Sequence, residues 1–201
     1  MKQIVVAITG ASGSIYGLRL TEELLRADCR VNLLLSKAGL DVLRYETGLE
    51  WEGTTSARKQ LMRDHFGGSK HLEHYDAKDL FAPVASGSSA PDAVVIAPCS
   101  MGTAGRIAAG MSENLIERVA DVALKERRDL VLVPRETPLN KIHLENLLTL
   151  SRAGAHILPA MPAFYHRPKK LEELVDFVVG KILDSLGVRH KLFQRWGEDK
   201  G

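Results

Sequence analysis

The sequence has few or none of the features that define several protein classes. Of its 201 residues only two are cysteines, Cys29 and Cys99, which argues against a disulfide framework and for a reducing compartment. The 27 basic and 25 acidic residues nearly cancel, so the chain lacks the excess positive charge of a nucleic-acid-binding domain. No apolar run reaches about 18 residues, and the apolar start of the chain is shorter than the core of a signal peptide. We therefore expect a cytoplasmic protein that binds neither nucleic acid nor a membrane.

Patterns for metal binding and for nucleophilic catalysis are also missing. The seven histidines show neither HxH nor HExxH spacing, so no metal site is predicted. The segment 10–14, GASGS, holds Gly-Ala-Ser-Gly one residue out of register with the GxSxG motif of serine hydrolases, which disfavours that class. Cys99 has no CxxC partner and no adjacent cation, so we expect it to be a small buried apolar residue.

What the sequence does contain is an alternation of short apolar runs and segments with helical periodicity. The first run is apolar on both faces, as a buried parallel strand is. Helices between successive strands favour a parallel sheet that is covered on both faces. The pattern predicts one α/β domain over residues 1–201, a three-layer, doubly wound parallel sheet. The predicted strands are 3–9, 30–35, 93–97, 130–133 and 156–158, and the predicted helices are 15–25, 38–44, 57–66, 114–127, 141–152 and 171–186.

Ligands of such sheets bind beyond the carboxyl ends of the strands. The segments at these ends are rich in small hydroxyl residues and cations, which suits a phosphorylated ligand; they are 10–14, 36–37, 98–103, 134–138 and 159–168. The glycines at 10, 13 and 17 do not match GxGxxG, and the second strand ends in Ser36 and Lys37 rather than in an acidic residue, so NAD is disfavoured. The first turn suits one phosphate or the edge of a flavin, and it is equally compatible with a purely structural role.

The polar side chains of these segments also have structural interpretations. Ser100 and Thr103 suit a phosphate or a ring carbonyl, but serine and threonine also cap helices. Arg118 and Lys125 lie two helical turns apart on one face, which is typical of a solvated helix as well. Arg135 follows the fourth predicted strand into the cleft, where a guanidinium binds a phosphate or pairs with the neighbouring carboxylate.

Considered together, five internal segments and a C-terminal RWGE resemble the UbiX flavin prenyltransferases. They cover most of the chain, and the long segment 114–139 is highly specific. The segments are ITGASGSIYGLRL (8–20), LLSKAGLDVLRYET (34–47), ASGSSAPDAVVIAPCSMGT (85–103), NLIERVADVALKERRDLVLVPRETPL (114–139), HLENLLTLSRAGAHILPAMPAFYHRP (143–168) and RWGE (195–198).

The resemblance implies a Rossmann- or flavodoxin-like fold and a homo-oligomer, usually a dodecamer, with active sites between subunits. It implies transfer of a dimethylallyl group from dimethylallyl monophosphate to N5 and C6 of reduced FMN, without a metal. The product would be prenylated FMN, the cofactor of UbiD-type decarboxylases in ubiquinone biosynthesis or aromatic-acid decarboxylation. The C-terminal helix and tail, about 171–201, are expected in subunit contacts, since Leu192, Phe193 and Trp196 suit a contact better than solvent.

Matching positions in the family imply a role for each candidate residue. Glu46, together with Ser12, is expected to handle a proton, and Leu80-Phe81 stand where some members have a tryptophan near the prenyl group. The FMN-binding residues implied are Gly10, Ala11, Ser12, Ser36, Ser100, Met101, Gly102, Thr103 and Arg135. The residues implied for the allyl phosphate are Tyr165, Lys181, Arg118 and Lys125, and the catalytic positions implied are Ser12, Glu46, Arg118, Lys125 and Glu136.

Two other functions remain open from the residues alone. An FMN-dependent decarboxylase of peptidyl-cysteine or phosphopantothenoylcysteine would share the fold. That group carries a PASANT-like segment where this chain has PCSMGT, and its catalytic histidine has no counterpart that we can place. A protein that binds FMN without transforming it is disfavoured by the cations and Tyr165, which imply a second anion beside the one phosphate of FMN.

Overall fold

The computed structural model describes residues 1–195; Trp196 and the predicted role of its segment, 196–201, lie outside the described residues. The chain alternates strands and helices, with two 3₁₀ turns at Pro83–Ala85 and Gly87–Ser89. The elements are β1 (Gln3–Ile8), α1 (Ser14–Arg26), β2 (Arg30–Leu35), α2 (Lys37–Thr47), α3 (Thr55–His65), β3 (Leu72–His74), β4 (Ala93–Cys99), α4 (Met101–Ala108), α5 (Leu115–Lys125), β5 (Asp129–Pro134), α6 (Lys141–Arg152), β6 (His156–Ile157) and α7 (Leu171–Ser185).

The six strands form one parallel sheet in the order β3-β2-β1-β4-β5-β6. The chain winds outward from β1 to β3 and then returns to the other side of β1 to place β4. This order confirms the predicted doubly wound α/β fold. It also puts the topological switch point between β1 and β4, where connections leave in opposite directions and a crevice opens at the carboxyl edge.

Helices bury both faces of the sheet. Ile4, Val6 and Ile8 of β1 pack in a core formed with α1 and α7, and Val5 and Ala7 pack in a second core formed with α4 and α5. All five side chains are fully buried. Because neither face meets water, the strand is apolar at successive positions instead of alternating, which explains why its sequence pattern is easy to read.

Two elements, β3 and α4, are absent from the sequence-based prediction, and a third, α2, is longer than predicted. The edge strand β3 has only three residues and includes Glu73 and His74, too few for a readable period. Helix α4 contains Gly102 and Gly105, which have low helix propensity and hide its pattern. Helix α2 continues to Thr47 rather than ending near residue 44, so the helix includes the predicted catalytic glutamate.

The C-terminal helix α7 packs against α1. Neither α7 nor any other helix within residues 1–195 is both long and apolar enough to cross a bilayer. Beyond α7, the Phe193 ring packs on Phe177 and His190, with ring centroids 5.0 and 5.2 Å apart. Part of the apolar tail therefore contacts its own chain, and the subunit contact expected for residues 171–201 stays a prediction.

Candidate functional site

The turn between β1 and α1 lies at the switch point. Gly13 has a φ of +107°, a left-handed conformation that favours glycine, and α1 begins directly after it. A Cβ on Gly10 would lie 2.6 Å from the Cβ of Ala38, so only glycine lets α2 approach this turn so closely. The three predicted flavin residues Gly10, Ala11 and Ser12 thus occupy a turn with little room for change.

The carboxylate of Glu46 caps α1 from the neighbouring helix α2. Its two oxygens accept the Gly13 N–H at 2.9 and 3.1 Å, and one of them accepts the Ser14 N–H at 2.8 Å. N–H groups at the start of a helix lack a partner within that helix, which is why an acceptor here is favourable.

The environment of Glu46 keeps it ionised. Partial burial on its own would raise the pKa of this carboxyl group. Hydrogen bonds from the Ser12 hydroxyl and from the two N–H groups of α1 outweigh that effect and hold the pKa below its ordinary value of 4.5. The structure therefore brings together Ser12 and Glu46, the pair expected to handle a proton, with Glu46 as a carboxylate at neutral pH.

A buried threonine joins the turn after β1 to the turn after β4. The Thr9 Oγ1 donates a hydrogen bond to the Pro98 carbonyl and accepts one from the Ser100 N–H, both at 2.8 Å. Thr9 is fully buried. No sequence pattern marks this residue, because a threonine that only ends a strand and one that also bridges two turns have the same sequence context.

Two of the predicted flavin-binding serines are helix N-caps. Ser36 accepts the Gly39 N–H at 2.9 Å at the start of α2, and Ser100 accepts the Thr103 N–H at 3.3 Å at the start of α4. A serine hydroxyl has two lone pairs and one proton, so capping uses only part of its hydrogen-bonding capacity. The predicted capping role is confirmed for Ser100, whereas Thr103 supplies the N–H that is capped and the cap at Ser36 was not predicted. Capping leaves room for a ligand at both serines.

Arg135 reaches from the end of β5 to the turn after β1. Its Nε donates a hydrogen bond to the Ser12 carbonyl at 3.0 Å, which uses one of five N–H donors of the guanidinium. The neighbouring Glu136 is exposed and accepts the Thr137 N–H at 3.1 Å. The structure thus places Arg135 beside the predicted flavin turn.

Tyr165 and Lys181 lie near the same face of α7. The Tyr165 ring packs edge-on against Phe177, with ring centroids 5.9 Å apart. Lys181 follows Phe177 by four residues, which is one helical turn along the same face, and it is exposed. The fold therefore packs Tyr165 on Phe177, one helical turn before Lys181, although the two residues predicted for the allyl phosphate are 16 residues apart in the sequence.

Arg118 and Lys125 lie on α5, two helical turns apart. The Arg118 Nε donates to the Ala85 carbonyl at 3.1 Å, and the Lys125 Nζ pairs with Glu126 at 2.8 Å. Lys125 ends α5 just before β5 begins, so it lies at the amino edge of the sheet. The six residues of β5 separate that edge from Arg135 by about 20 Å, at about 3.3 Å per residue. Within one chain Lys125 therefore does not join the carboxyl-edge site.

The loop that contacts Arg118 also carries exposed apolar side chains. Phe81 is fully exposed and Leu80 is 43% exposed. These two residues stand where a tryptophan near the prenyl group is expected in some family members.

The two cysteines play no part in this site. Both are free and buried, and burial raises the pKa of the Cys99 thiol to about 12. The interpretation of Cys99 as a buried apolar residue is confirmed. Among the described residues there is no group of three or more His, Cys, Asp or Glu side chains that could hold a metal ion.

Comparison with known proteins identifies the family. Residues 1–183 match the model of the family described as Flavoprotein. A relative from Alkalihalophilus pseudofirmus named flavin prenyltransferase UbiX is 54% identical over 198 residues, which are 98% of this chain and 97% of the relative. The chain belongs to the UbiX flavin prenyltransferase family.

Solved structures agree with this membership. The chain is similar to AnUbiX (PadA1), solved in complex with FMN and dimethylallyl pyrophosphate, with a TM-score of 0.86, 40% identity and coverage of 99% of both chains. It is also similar to a dodecameric FMN-dependent UbiX-like decarboxylase from Escherichia coli O157:H7, with a TM-score of 0.84, 37% identity and coverage of 96% and 98%. The Rossmann- or flavodoxin-like fold expected from the sequence is therefore confirmed.

Proposed function

We propose that this UbiX-family chain transfers a dimethylallyl group from dimethylallyl monophosphate to N5 and C6 of reduced FMN. The observation that carries the proposal is the meeting of Ser12, Glu46 and Arg135 at the β1–β4 switch point. These three residues meet in a chain that is itself 54% identical to a relative named flavin prenyltransferase UbiX. The product is prenylated FMN, and the proposed recipient is a UbiD-type decarboxylase.

The residues at the carboxyl edge fit a flavin mononucleotide. The turn at Gly10 has no side chain in the space beside α2, and Arg135 adds a cation for the phosphate at the same turn. Small hydroxyl residues follow β2 and β4, where they meet ring and ribityl polar groups. The residues proposed to hold FMN are Gly10, Ala11, Ser12, Ser36, Ser100, Met101, Gly102, Thr103 and Arg135.

Reduced FMN supplies the nucleophile of the reaction at N5, so the protein needs no nucleophilic side chain of its own. The protein orients the allyl phosphate and stabilises the charge that develops on the departing phosphate. Tyr165 and Lys181, placed near one face of α7, supply a hydroxyl group and a cation for this purpose. Arg118 and Lys125 add two further cations when a second chain brings them to the site.

Glu46 is the proposed acceptor for the proton that leaves C6 when the new ring closes. Its lowered pKa keeps it unprotonated at neutral pH, as an acceptor must be, and the Ser12 hydroxyl holds its orientation. A low pKa also makes the carboxylate a weak base, so the proton is expected to pass on to the released phosphate. Glu136 is proposed as a further catalytic residue on the exposed side of Arg135.

An active site that contains both groups of cations needs more than one chain. Lys125 ends α5 at the amino edge of the sheet, whereas Arg135 lies at the carboxyl edge. Arg118 of the same helix contacts the Ala85 carbonyl, in the loop that carries the exposed Phe81. We therefore propose that a neighbouring subunit contributes the α5 cations, in an assembly like the dodecamer of the E. coli structure. The α7 helix and the tail through residue 201 are proposed to take part in the subunit contacts.

The proposal also specifies which phosphate ester is the substrate and in which compartment the protein lies. AnUbiX was solved with dimethylallyl pyrophosphate, so the two esters need a direct comparison; we propose the monophosphate as substrate. A cytoplasmic location is proposed because both thiols are free and the substrates are intracellular metabolites.

The deciding experiment is anaerobic incubation of the purified chain with reduced FMN and either the monophosphate or the diphosphate ester, followed by mass analysis of the released flavin. A flavin heavier by one C5 prenyl unit, formed faster with the monophosphate, is the expected result. Unmodified flavin despite demonstrated binding of both ligands would contradict the proposal. A parallel incubation with an aromatic acid or with a cysteinyl peptide tests the decarboxylase alternatives, and no release of CO₂ is expected.

A further inference from the structure

Arg106 connects a buried carboxylate to the hydroxyl pair at the start of α4. The Glu117 side chain is fully buried and accepts hydrogen bonds from the Arg106 Nε and from the Glu113 N–H. The Nη2 of the same arginine donates to the Thr103 Oγ1 at 3.3 Å. The guanidinium is thereby fixed between a buried anion and a hydroxyl group.

The hydrogen-bonding capacity of Thr103 is set by this contact. An arginine can only donate, so the Thr103 Oγ1 is the acceptor. The same oxygen accepts a second hydrogen bond from the Ser100 Oγ at 3.0 Å. Both lone pairs of the Thr103 hydroxyl are then occupied, and only its own proton remains to be donated.

The direction of these bonds determines what Ser100 can offer to a ligand. Its proton is directed to Thr103, and one of its lone pairs accepts the Thr103 N–H at 3.3 Å. The Ser100 N–H is held by Thr9 at 2.8 Å. What remains on Ser100 is one lone pair, so this residue can accept a hydrogen bond from a ligand and cannot donate one.

We propose that Arg106 is a positioning residue for the flavin site, because its hydrogen bond holds the Thr103 Oγ1 where that oxygen accepts the Ser100 proton, which leaves Ser100 as an acceptor for a donor group of the flavin ring or ribityl chain. The inference rests on the proposed function, since it takes FMN as the ligand. It differs from the expectation that Ser100 donates to a phosphate or a ring carbonyl, because neither of those groups carries a proton at neutral pH. A donor group shared by FMN and riboflavin is the partner that the geometry allows.

The test compares dissociation constants for FMN and for riboflavin, which lacks the phosphate. The variants are Ser100→Ala, Arg106→Lys and the double change Arg106→Met with Glu117→Met. Lysine keeps the charge beside Glu117 but lacks the planar guanidinium that donates to Glu117 and Thr103 from two different nitrogens. The double change removes the buried charge together with its partner, so no unpaired carboxylate is left. Arg152→Met on the exposed side of α6 is the matched control.

The expected result is that each of the three variants weakens FMN and riboflavin binding by the same factor, about three- to tenfold, as for loss of one neutral hydrogen bond. Arg152→Met should bind both flavins like the wild type. Loss of positive charge would weaken FMN more than riboflavin, so an unchanged ratio of the two affinities excludes that cause. Loss of folding would weaken both equally, so thermal unfolding of each variant without ligand must show that it remains folded at the temperature of the titration.

Other outcomes overturn the inference. A loss of affinity confined to FMN would show that Ser100 contacts the phosphate. If Arg106→Lys binds both flavins like the wild type, Arg106 does not position Ser100. If the double variant fails to fold, Arg106→Lys decides alone, since its charge pair is kept. If the wild type itself binds neither flavin, the proposed function fails; if the wild type binds both and the variants match it, only this inference fails.

Discussion

Both side-chain oxygens of Glu46 lie within 3.1 Å of the backbone nitrogen of Gly13, and this contact joins the end of α2 to the start of α1. The positive end of the α1 dipole is thereby neutralised by a side chain of the protein itself. The turn at the switch point consequently presents an ionised carboxylate beside the Ser12 hydroxyl. The proposed proton acceptor therefore lies on a helix and not on a loop.

Glu46→Gln should retain flavin binding and lose turnover. Glutamine keeps one oxygen to accept an α1 N–H, but it cannot take up a proton, so the rate of prenylated FMN formation should fall by about 100-fold or more. The rate is measured by anaerobic turnover with mass analysis of the flavin. Glu50→Gln, an exposed glutamate shortly after α2, is the control and should react at the wild-type rate. If Glu46→Gln closes the ring at the wild-type rate, Glu46 does not accept the proton.

The Glu46 cap should also make stability depend on pH. Because folding lowers the pKa of this group below 4.5, its contribution is present above the unfolded pKa and is lost as the pH falls through the folded pKa. The side chain is exposed, so solvent screening limits the effect to under about 1 kcal/mol. Urea unfolding of the wild type and Glu46→Gln should differ at pH 7 and converge at low pH. A difference that grows with acidity would contradict this assignment.

Arg135→Ala and Lys181→Ala should separate the two phosphate sites. Arg135 contacts the flavin turn through the Ser12 carbonyl, so its loss should weaken FMN binding by about tenfold or more. Lys181 lies on α7 one turn after Phe177, on which Tyr165 packs, so its loss should mainly raise KM for dimethylallyl monophosphate. Titration with FMN and initial rates with the allyl ester distinguish the two effects. Equal loss of both ligands in either variant would contradict the division.

Thr9→Val should destabilise the turn after β4 without removing any ligand contact. Valine has the same shape but leaves the partly buried Ser100 N–H without its acceptor, at a cost of about 1 kcal/mol. Thr9→Ser retains the hydroxyl group and should recover most of the stability. Denaturant unfolding of the two variants measures the difference. Equal stability of Thr9→Val and the wild type would show that the bridge between the two turns contributes nothing.

Much of the fold and part of the site could be predicted from the sequence, for identifiable reasons. β1 is buried on both faces, so its apolar run is unbroken and its end at Gly10 marks the crevice. β3 could not be predicted, because a strand of three residues is too short to show a periodic pattern of apolar residues. The contacts of Arg106 could not be foreseen, since a helix with two glycines had first to form before Thr103 came within its reach. The Glu46 cap depended on α2 extending to Thr47, beyond the apolar residues that mark the helix.

The separation of Arg135 from Lys125 within one chain gives the last prediction, which is complementation between inactive variants. Glu46→Gln disables the carboxyl-edge half of a site, and Lys125→Ala disables the half that a neighbouring subunit is proposed to contribute. Each homo-oligomer should be inactive. When the two variants are mixed and reassembled, some sites combine an intact Glu46 with an intact Lys125, so activity should return to a fraction of the wild-type level, at most about one quarter for random mixing. Mixing without reassembly is the control, and size-exclusion chromatography establishes that both variants assemble. If both residues acted within one chain, no mixture of the two variants would contain a complete site, and the mixed assembly would remain as inactive as its parents.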